Sequence, residues 1–522
     1  MLTPRRGPSP RAGLLQPSRP MRLSRALTLL SLPVALPLAL AARPAHAQDA
    51  PTCPVDVYQP AALTQAGLTV QKAAAATNPA DVAKNLKDAM KYLQDEKRIA
   101  SNPIGAGYLK AQIYVLWLHQ EGVGDMMTNE ELNAKGPKTD KVDLVPAIDS
   151  LLKVVEAMGP ACVEETREWR QSKPWIERIN KAYAFLSADD LDSASYFAER
   201  ATMLFPTSPF VHNIHAQLAN KRGDKPGMMK NLRLAIEAAK ADTSLGETRR
   251  QMQFQLATTL HEWAATGGSA DKDALDKESL ALFSALLREE PMGGDAAYAF
   301  SSASEIISVA QDSAAAQSLL APMVTDPEPY GDLTLLLGAD LARIFGRSDD
   351  AMELYAAALR KNPNTRDASY FLSFMYYEAK QAAPMMLLTQ KLLEIDPSNP
   401  DNYLMRAYAI KLTADEEKDA AKKAALMKQM NEFTQIEATM PHKLLVQRFE
   451  RRAEGALLVG TVENRGKVAK AYTVKVDFLD ITGNVLETMT AEVPSVKPGE
   501  TGTFRMTPVK PGIVAYKYDA LK

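Results

Sequence analysis

Residues 332–397 read DLTLLLGADLARIFGRSDDAMELYAAALRKNPNTRDASYFLSFMYYEAKQAAPMMLLTQKLLEIDP, and their reading decides the fold. Small residues (Gly338, Ala339, Ala351, Ala358), an aromatic (Tyr355) and a closing proline (Pro363) stand at the offsets of two antiparallel helices joined by a turn at Gly346. Pro397 closes a second unit 34 residues after Pro363, with Tyr376 and Leu392 at matching offsets. Two helices approach closely only where the contact positions are small, and Tyr355 fills the space beside them. A proline stops a helix because it lacks an N–H and clashes with the preceding turn. Self-similarity at this period marks a stacked helical array.

The same pattern extends outwards, more weakly. Ala182, Phe185, Ala194, Ala198, Ala201 and Pro206 fit one unit, and Ala216, Leu232 and Ala235 fit the next. Residues 247–291 form a third unit with an insert at 266–277, and 295–327 a degenerate fourth. Residues 400–440 form a last helix pair, whose second helix (416–440) presents a polar outer face as a cap. Towards the N-terminus, 61–75 and 80–99 predict a first hairpin, and 107–120 and 144–158 predict further helices. The polar stretch 121–142 between them is long for a turn between paired helices. At Pro441 the period changes from helical to alternating. Tyr472-x-Val474-x-Val476-x-Phe478 is one of six predicted strands (444–449, 456–462, 471–479, 485–493, 502–508 and 513–518), which make a small β-sandwich with one buried face per strand.

Over 175–440 the chain resembles the tetratricopeptide repeat family, with the N-terminal hairpins (48–174) as divergent members. The resemblance implies a right-handed α-solenoid whose first helices line a concave face that binds peptides or proteins. The second, fifth, ninth and twelfth positions of each first helix then face the groove. They are Tyr183; Phe210, Asn213, Gln217 and Asn220; Tyr370, Phe374 and Tyr377; and Tyr408. Aromatic rings and amides there suit an extended peptide, through apolar contact and backbone hydrogen bonds. The competing reading is that the Tyr370/Phe374/Tyr377 stripe packs against a neighbouring helix. The segment 443–522 resembles the FxLYD-type immunoglobulin-like domains of bacterial envelope proteins. The matching residues are Gly460-x-Val462-x-Asn464, Val476-Asp477-Phe478-Leu479-Asp480 with Gly483, and Lys497-Pro498-Gly499-Glu500.

Residues 1–47 predict a secretory signal peptide: a basic n-region at 21–25, an apolar run at 26–40 and the cleavage site Ala45-His46-Ala47. Met21 reads as the true start, with 1–20 an over-called reading frame. The apolar run is shorter than the roughly 20 residues a spanning helix needs, so the mature chain has no transmembrane anchor and lies in the periplasm or outside the cell. Cleavage removes seven arginines from 61 basic residues and none of the 63 acidic ones, leaving a formal charge of −9. That disfavours nucleic acid as a partner. In such a compartment the two cysteines, Cys53 and Cys162, predict one disulfide.

The chemistry-bearing motifs are weak. His212-x-x-His215 lacks a third ligand, and His261-Glu262 lacks the second histidine of a zincin. Gly460–Lys467 misses the phosphate-loop spacing, and Asp271-x-Asp273 lacks the later ligands of a calcium loop. Met427-x-x-Met430 has copper(I)-type sulfurs, at a spacing more often found on a packed helix face. The expectation is a non-enzymatic scaffold with no cofactor, no metal and no catalytic residue. The alternative is a glycan- or small-ligand-binding envelope protein acting through the sandwich, although the sandwich aromatics fall mostly at inward-alternating positions.

Overall fold

The computed structural model describes residues 52–266 and 271–522, so the signal-like segment 1–47 and residues 267–270 of the expected 266–277 insert lie outside the described residues. The chain divides into two compact units, up to Arg249 and from Arg250 onwards.

The first unit opens with α1 (Ala61–Ala75) packed on α2 (Pro79–Tyr92), followed by the single turn α3 (Glu96–Ile99). The expected helix 80–99 is therefore broken. Asp95 caps the short third helix through its side chain, so the chain restarts there. α4 (Pro103–Leu118) pairs with α6 (Leu144–Glu156). Between them β1 (Met126–Thr128), the turn α5 (Asn129–Leu132) and β2 (Lys141–Asp143) form a folded hairpin with Met127 opposite Val142. Thr128 and Glu131 cap α5 reciprocally. α7 (Pro160–Arg170) follows, with Pro160 at the first helical position, where no N–H is needed.

Two regular hairpins follow, α8 (Lys173–Ser187) with α9 (Leu191–Leu204) and α10 (Pro209–Lys221) with α11 (Lys225–Ala239). Asp190, Ser208 and Asp224 accept N–H bonds at their helix starts. Cys53 and Cys162 form a disulfide with Cα atoms 4.6 Å apart, which pins the N-terminal segment onto α7.

The hairpin insert is held by a compact charge cluster. Arg200 donates to both Asp143 oxygens at 2.8 and 2.6 Å and lies 3.1 Å from Asp125. Arg178 is hydrogen-bonded to the same Asp125, and all four side chains are largely buried. Arg200's hydrogen bonds hold the Asp143 carboxyl below the usual range, against the opposing pull of burial.

α12 (Gly246–Ala265) runs across the division at residues 249 and 250. The second unit continues with α13 (Lys272–Glu289), α14 (Ala296–Ala310), α15 (Ser313–Thr325), α16 (Asp332–Ile344), α17 (Ser348–Lys361), α18 (Arg366–Glu378), α19 (Ala382–Ile395), α20 (Pro400–Glu416) and α21 (Ala420–Thr439). First helices contact first helices (α14/α16, α18/α20), while α15 contacts α17 in the second layer. The deciding stretch packs as its residue types require. Ala339, Ala351, Tyr355 and Ala358 are completely buried, and a Cβ on Gly338 would meet Met323 Cε at 2.8 Å. Gly346 turns the chain at φ +69°, a left-handed conformation that glycine adopts without steric cost.

The degenerate hairpin α14/α15 packs less closely. Small residues (Ser284, Ala315, Ser318) leave a cavity of about 120 Å³ between α13 and α15, floored by Leu287, Phe300 and Met323. α21 buries no residue fully. Leu426, Met427, Met430 and Phe433 are half-buried, while Ile436 and most of its polar residues are exposed.

The C-terminal strands form two three-stranded antiparallel sheets, as the alternation predicts. β3 (His442–Arg452), β4 (Gly455–Asn464) and β7 (Thr501–Met506) form one, in the order β3-β4-β7. β5 (Lys470–Leu479), β6 (Val485–Val496) and β8 (Ala515–Tyr518) form the other, in the order β6-β5-β8. Between them lies a core of Leu444, Leu458, Val462, Tyr472, Val474, Val476, Phe478, Val493, Phe504, Tyr516 and Tyr518.

Candidate functional site

In the first unit, Tyr183 on α8 and Phe210, Asn213, Gln217 and Asn220 on α10 are all half-buried. The structure joins Tyr183 to Asn213: the Asn213 amide donates to the phenol oxygen at 3.2 Å. Burial pushes that phenol up to about 12, partly offset by the Asn213 bond. Phe210 lies 6.4 Å from the Trp175 ring, centroid to centroid, and so is part of the packing between α8 and α10. Asn220 is also committed internally, its side-chain oxygen accepting from Lys225 Nζ at 2.9 Å. Asn213 Oδ1 and Gln217 Oε1 differ from these, being buried without a protein donor. They are four residues apart on one helix face. Buried acceptors of this kind cost free energy until something donates to them.

In the second unit the aromatic stripe divides. Tyr370 is half-buried, packs against Met385 and Met405, and carries the Arg366 guanidinium 4.8 Å over its ring. Phe374 (38% exposed) and Tyr377 (36%) face outward, and Tyr408 (37%) comes from the next first helix to stack on Tyr377 at 5.1 Å and 26°. The neighbouring hairpin, not the helical period, explains the split. Tyr370 lies at the start of α18, where the neighbouring hairpin covers it, whereas Phe374 and Tyr377 lie one and two turns further on. Arg343 on α16 extends this face, its guanidinium 4.6 Å over Phe371. Below it Tyr355 donates to Asp340 at 2.5 Å. Burial raises the Asp340 carboxyl above its ordinary range, against the Tyr355 bond and the Arg343 charge.

Sequence reasoning named no site residue on α12 and α14, the first helices of the third and fourth units. There Phe254 and Tyr298 pack edge to face at 5.4 Å, and His261 Nε2 lies 3.6 Å from Glu305. The His261 hydrogen bond lowers the Glu305 carboxyl. The available signal was the helical spacing Phe254/Thr258/His261, hidden because this unit departs from the repeat pattern at its aromatic and proline positions.

Among the described residues no cluster of three or more histidine, cysteine, aspartate or glutamate side chains is placed to hold a metal. Among them, too, no helix is long and apolar enough to cross a membrane. The aromatic residues of the sandwich (Phe449, Tyr472, Phe478, Phe504, Tyr516 and Tyr518) are buried or packed against its core.

No protein-family model and no curated protein matches the sequence. Solved structures that align with it include a tetratricopeptide repeat protein from Parabacteroides merdae, at 16% identity over 51% of this chain and 100% of that one (TM-score 0.26). PilW, a type IV pilus biogenesis factor, aligns at 13% identity over 52% of this chain and 95% of its own (TM-score 0.18). The P58(IPK) TPR domain aligns at 10% over 73% and 99% (TM-score 0.21). With TM-scores this low the alignments carry no argument about function. The repeat architecture rests on the helices and their packing.

Proposed function

We propose that this chain is an exported, non-enzymatic scaffold that takes a protein or peptide partner across its first-helix faces, in the setting of the cell envelope. The observation that carries this reading is the exposed triad Phe374, Tyr377 and Tyr408 on adjoining first helices. Aromatic rings that stay exposed beside a cation–π-held arginine are the composition of interface hot spots rather than of ordinary surface. Export is supported by the signal-like segment 1–47 and by the Cys53–Cys162 disulfide, a bond that persists in oxidising compartments.

A photo-crosslinking residue at Tyr377, with a control at Leu387 on the second-helix face (75% exposed), tests the reading in the exporting cell. A discrete adduct formed from position 377 alone, and lost in Phe374→Ala/Tyr408→Ala with the fold retained by circular dichroism, is expected. Equal adducts from both positions would refute it. Glycan binding through the sandwich gains no support from a domain whose aromatic rings are packed in its core.

A further inference from the structure

Two first helices, α16 and α20, bond to the sandwich at their N-termini, and one strand spans them. At α16, Asp332 receives both Arg451 guanidinium nitrogens at 2.9 and 2.7 Å, with Asn362 adding a third bond at 2.8 Å. At α20, Asp401 receives Lys443 Nζ at 2.8 and 3.0 Å. Arg451 and Lys443 stand near opposite ends of β3. Eight steps along the strand separate them, roughly 26 Å at the usual rise.

Between these grips the contact is buried. Asp396, 3% exposed at the end of α19, accepts from Arg366 Nε and Asn399 Nδ2, both at 3.0 Å, and from the Tyr518 hydroxyl. Ser398 accepts from the Leu444 and Leu521 backbone N–H groups at 2.9 and 2.8 Å. Tyr516, Tyr518 and Leu521 are all buried, and only Met440 and Pro441 separate α21 from β3.

We propose that the sandwich is a splint. β3 acts as a spacer that fixes the separation of α16 from α20, and the C-terminal residues 515–521 lock it onto the α19–α20 turn. The three hairpins from α16 to α20 thereby form one rigid plate. The role assigned to the sandwich is preorganisation of the Phe374/Tyr377/Tyr408 face; that consequence rests on the proposed binding function, while the splint itself does not. A carboxylate as buried as Asp396 is tolerated only with its donors in place, so separating the sandwich from the hairpins is costly. Paired helix-terminal acids add to this, since their charge also favours the helix N-termini.

Spin labels at Ile344→Cys and Lys411→Cys, in the full chain with the native disulfide intact, report the α16–α20 separation. One narrow distance distribution is expected, broadened in both Tyr518→Phe and Arg451→Gln. Hydrogen exchange in the same variants should quicken roughly 10- to 100-fold in the amides of α16, α18 and α20, the factor for losing a hydrogen bond to a charged group. Arg451→Gln leaves the buried Asp396 cluster intact, so a folded variant is available even if Tyr518→Phe loosens the sandwich. A broad distribution in the parent, or unchanged separation and exchange in both variants, overturns the splint. Neither readout needs a partner, so failure of the crosslinking test above would remove the binding role and leave the splint standing.

Discussion

Removing the Cys53–Cys162 bond should destabilise the first unit through the unfolded chain more than through the folded one. The bond closes a loop with a sequence separation of 109 residues. Loop-closure entropy at that length restricts the unfolded ensemble by about 4.8 kcal/mol at 25 °C. For a unit of this size, a change of 1 kcal/mol moves the melting point by about 2–4 °C, so the loss amounts to about 10–19 °C. Cys53→Ser is the preferred perturbation, because Cys53 is half-buried whereas Cys162 is completely buried and its replacement would add a packing defect. Calorimetry of the exported chain, with parallel reduction of the wild type, measures the effect. Reduction and substitution should agree, and hydrogen exchange should quicken through α1–α7, the span the bond encloses. A shift below about 3 °C, with faster exchange confined to residues 52–60, would refute the reasoning. The bond would then only fasten a tail.

Other outcomes follow from the same contacts. Tyr377→Ala and Tyr408→Ala should be tolerated singly and show a coupling of about 0.5–1.5 kcal/mol in a denaturant double-mutant cycle, the range for an aromatic pair. Tyr370→Ala should cost more, about 2 kcal/mol, because it vacates space beside Met385 and Met405 and releases Arg366. The Asp143 carboxyl is depressed in the folded state, so its stabilisation is complete above its unfolded pKa and is lost as pH falls through the lower folded value. Asp143→Asn should therefore melt lower at pH 6 yet lose less on acidification between pH 4 and 2 than the parent, as followed by thermal scans. Ala315→Met, which extends a flexible side chain into the α13/α15 cavity, should raise the second unit's urea midpoint by the equivalent of about 1 kcal/mol; a lower midpoint would show that the cavity does not admit it.

The repeat was legible wherever the packing is local. Gly338, Ala339, Ala351 and Tyr355 meet within one hairpin, so their spacing alone reports the contact. The six strands were equally legible, because alternation in Tyr472–Phe478 directly reflects a single buried face. The insert 121–142 was not, since its fold depends on Asp125 and Asp143 meeting Arg178 and Arg200, residues far away in sequence. Nor could periodicity separate Tyr370 from Tyr377. Both lie on one helix stripe, and only the neighbouring hairpin covers one and leaves the other exposed. The Asp396–Tyr518 contact spans 122 residues, and neither residue type announces the other.

The β1–α5–β2 insert has a bearing on how this array can be edited. Repeat proteins are usually regarded as modular, with loops that can be trimmed or exchanged at little cost. Here two arginines of the following hairpin have their carboxylate partners in the insert, at Asp125 and Asp143. Excising it as a loop would strand Arg178 and Arg200 as buried cations, at a cost of about 3–5 kcal/mol where a buried pair is broken. The deletion becomes tolerable only together with neutral replacements at 178 and 200. Insert and arginines therefore behave as one hereditary character, gained or lost together, and transplanting either into another array without the other should fail.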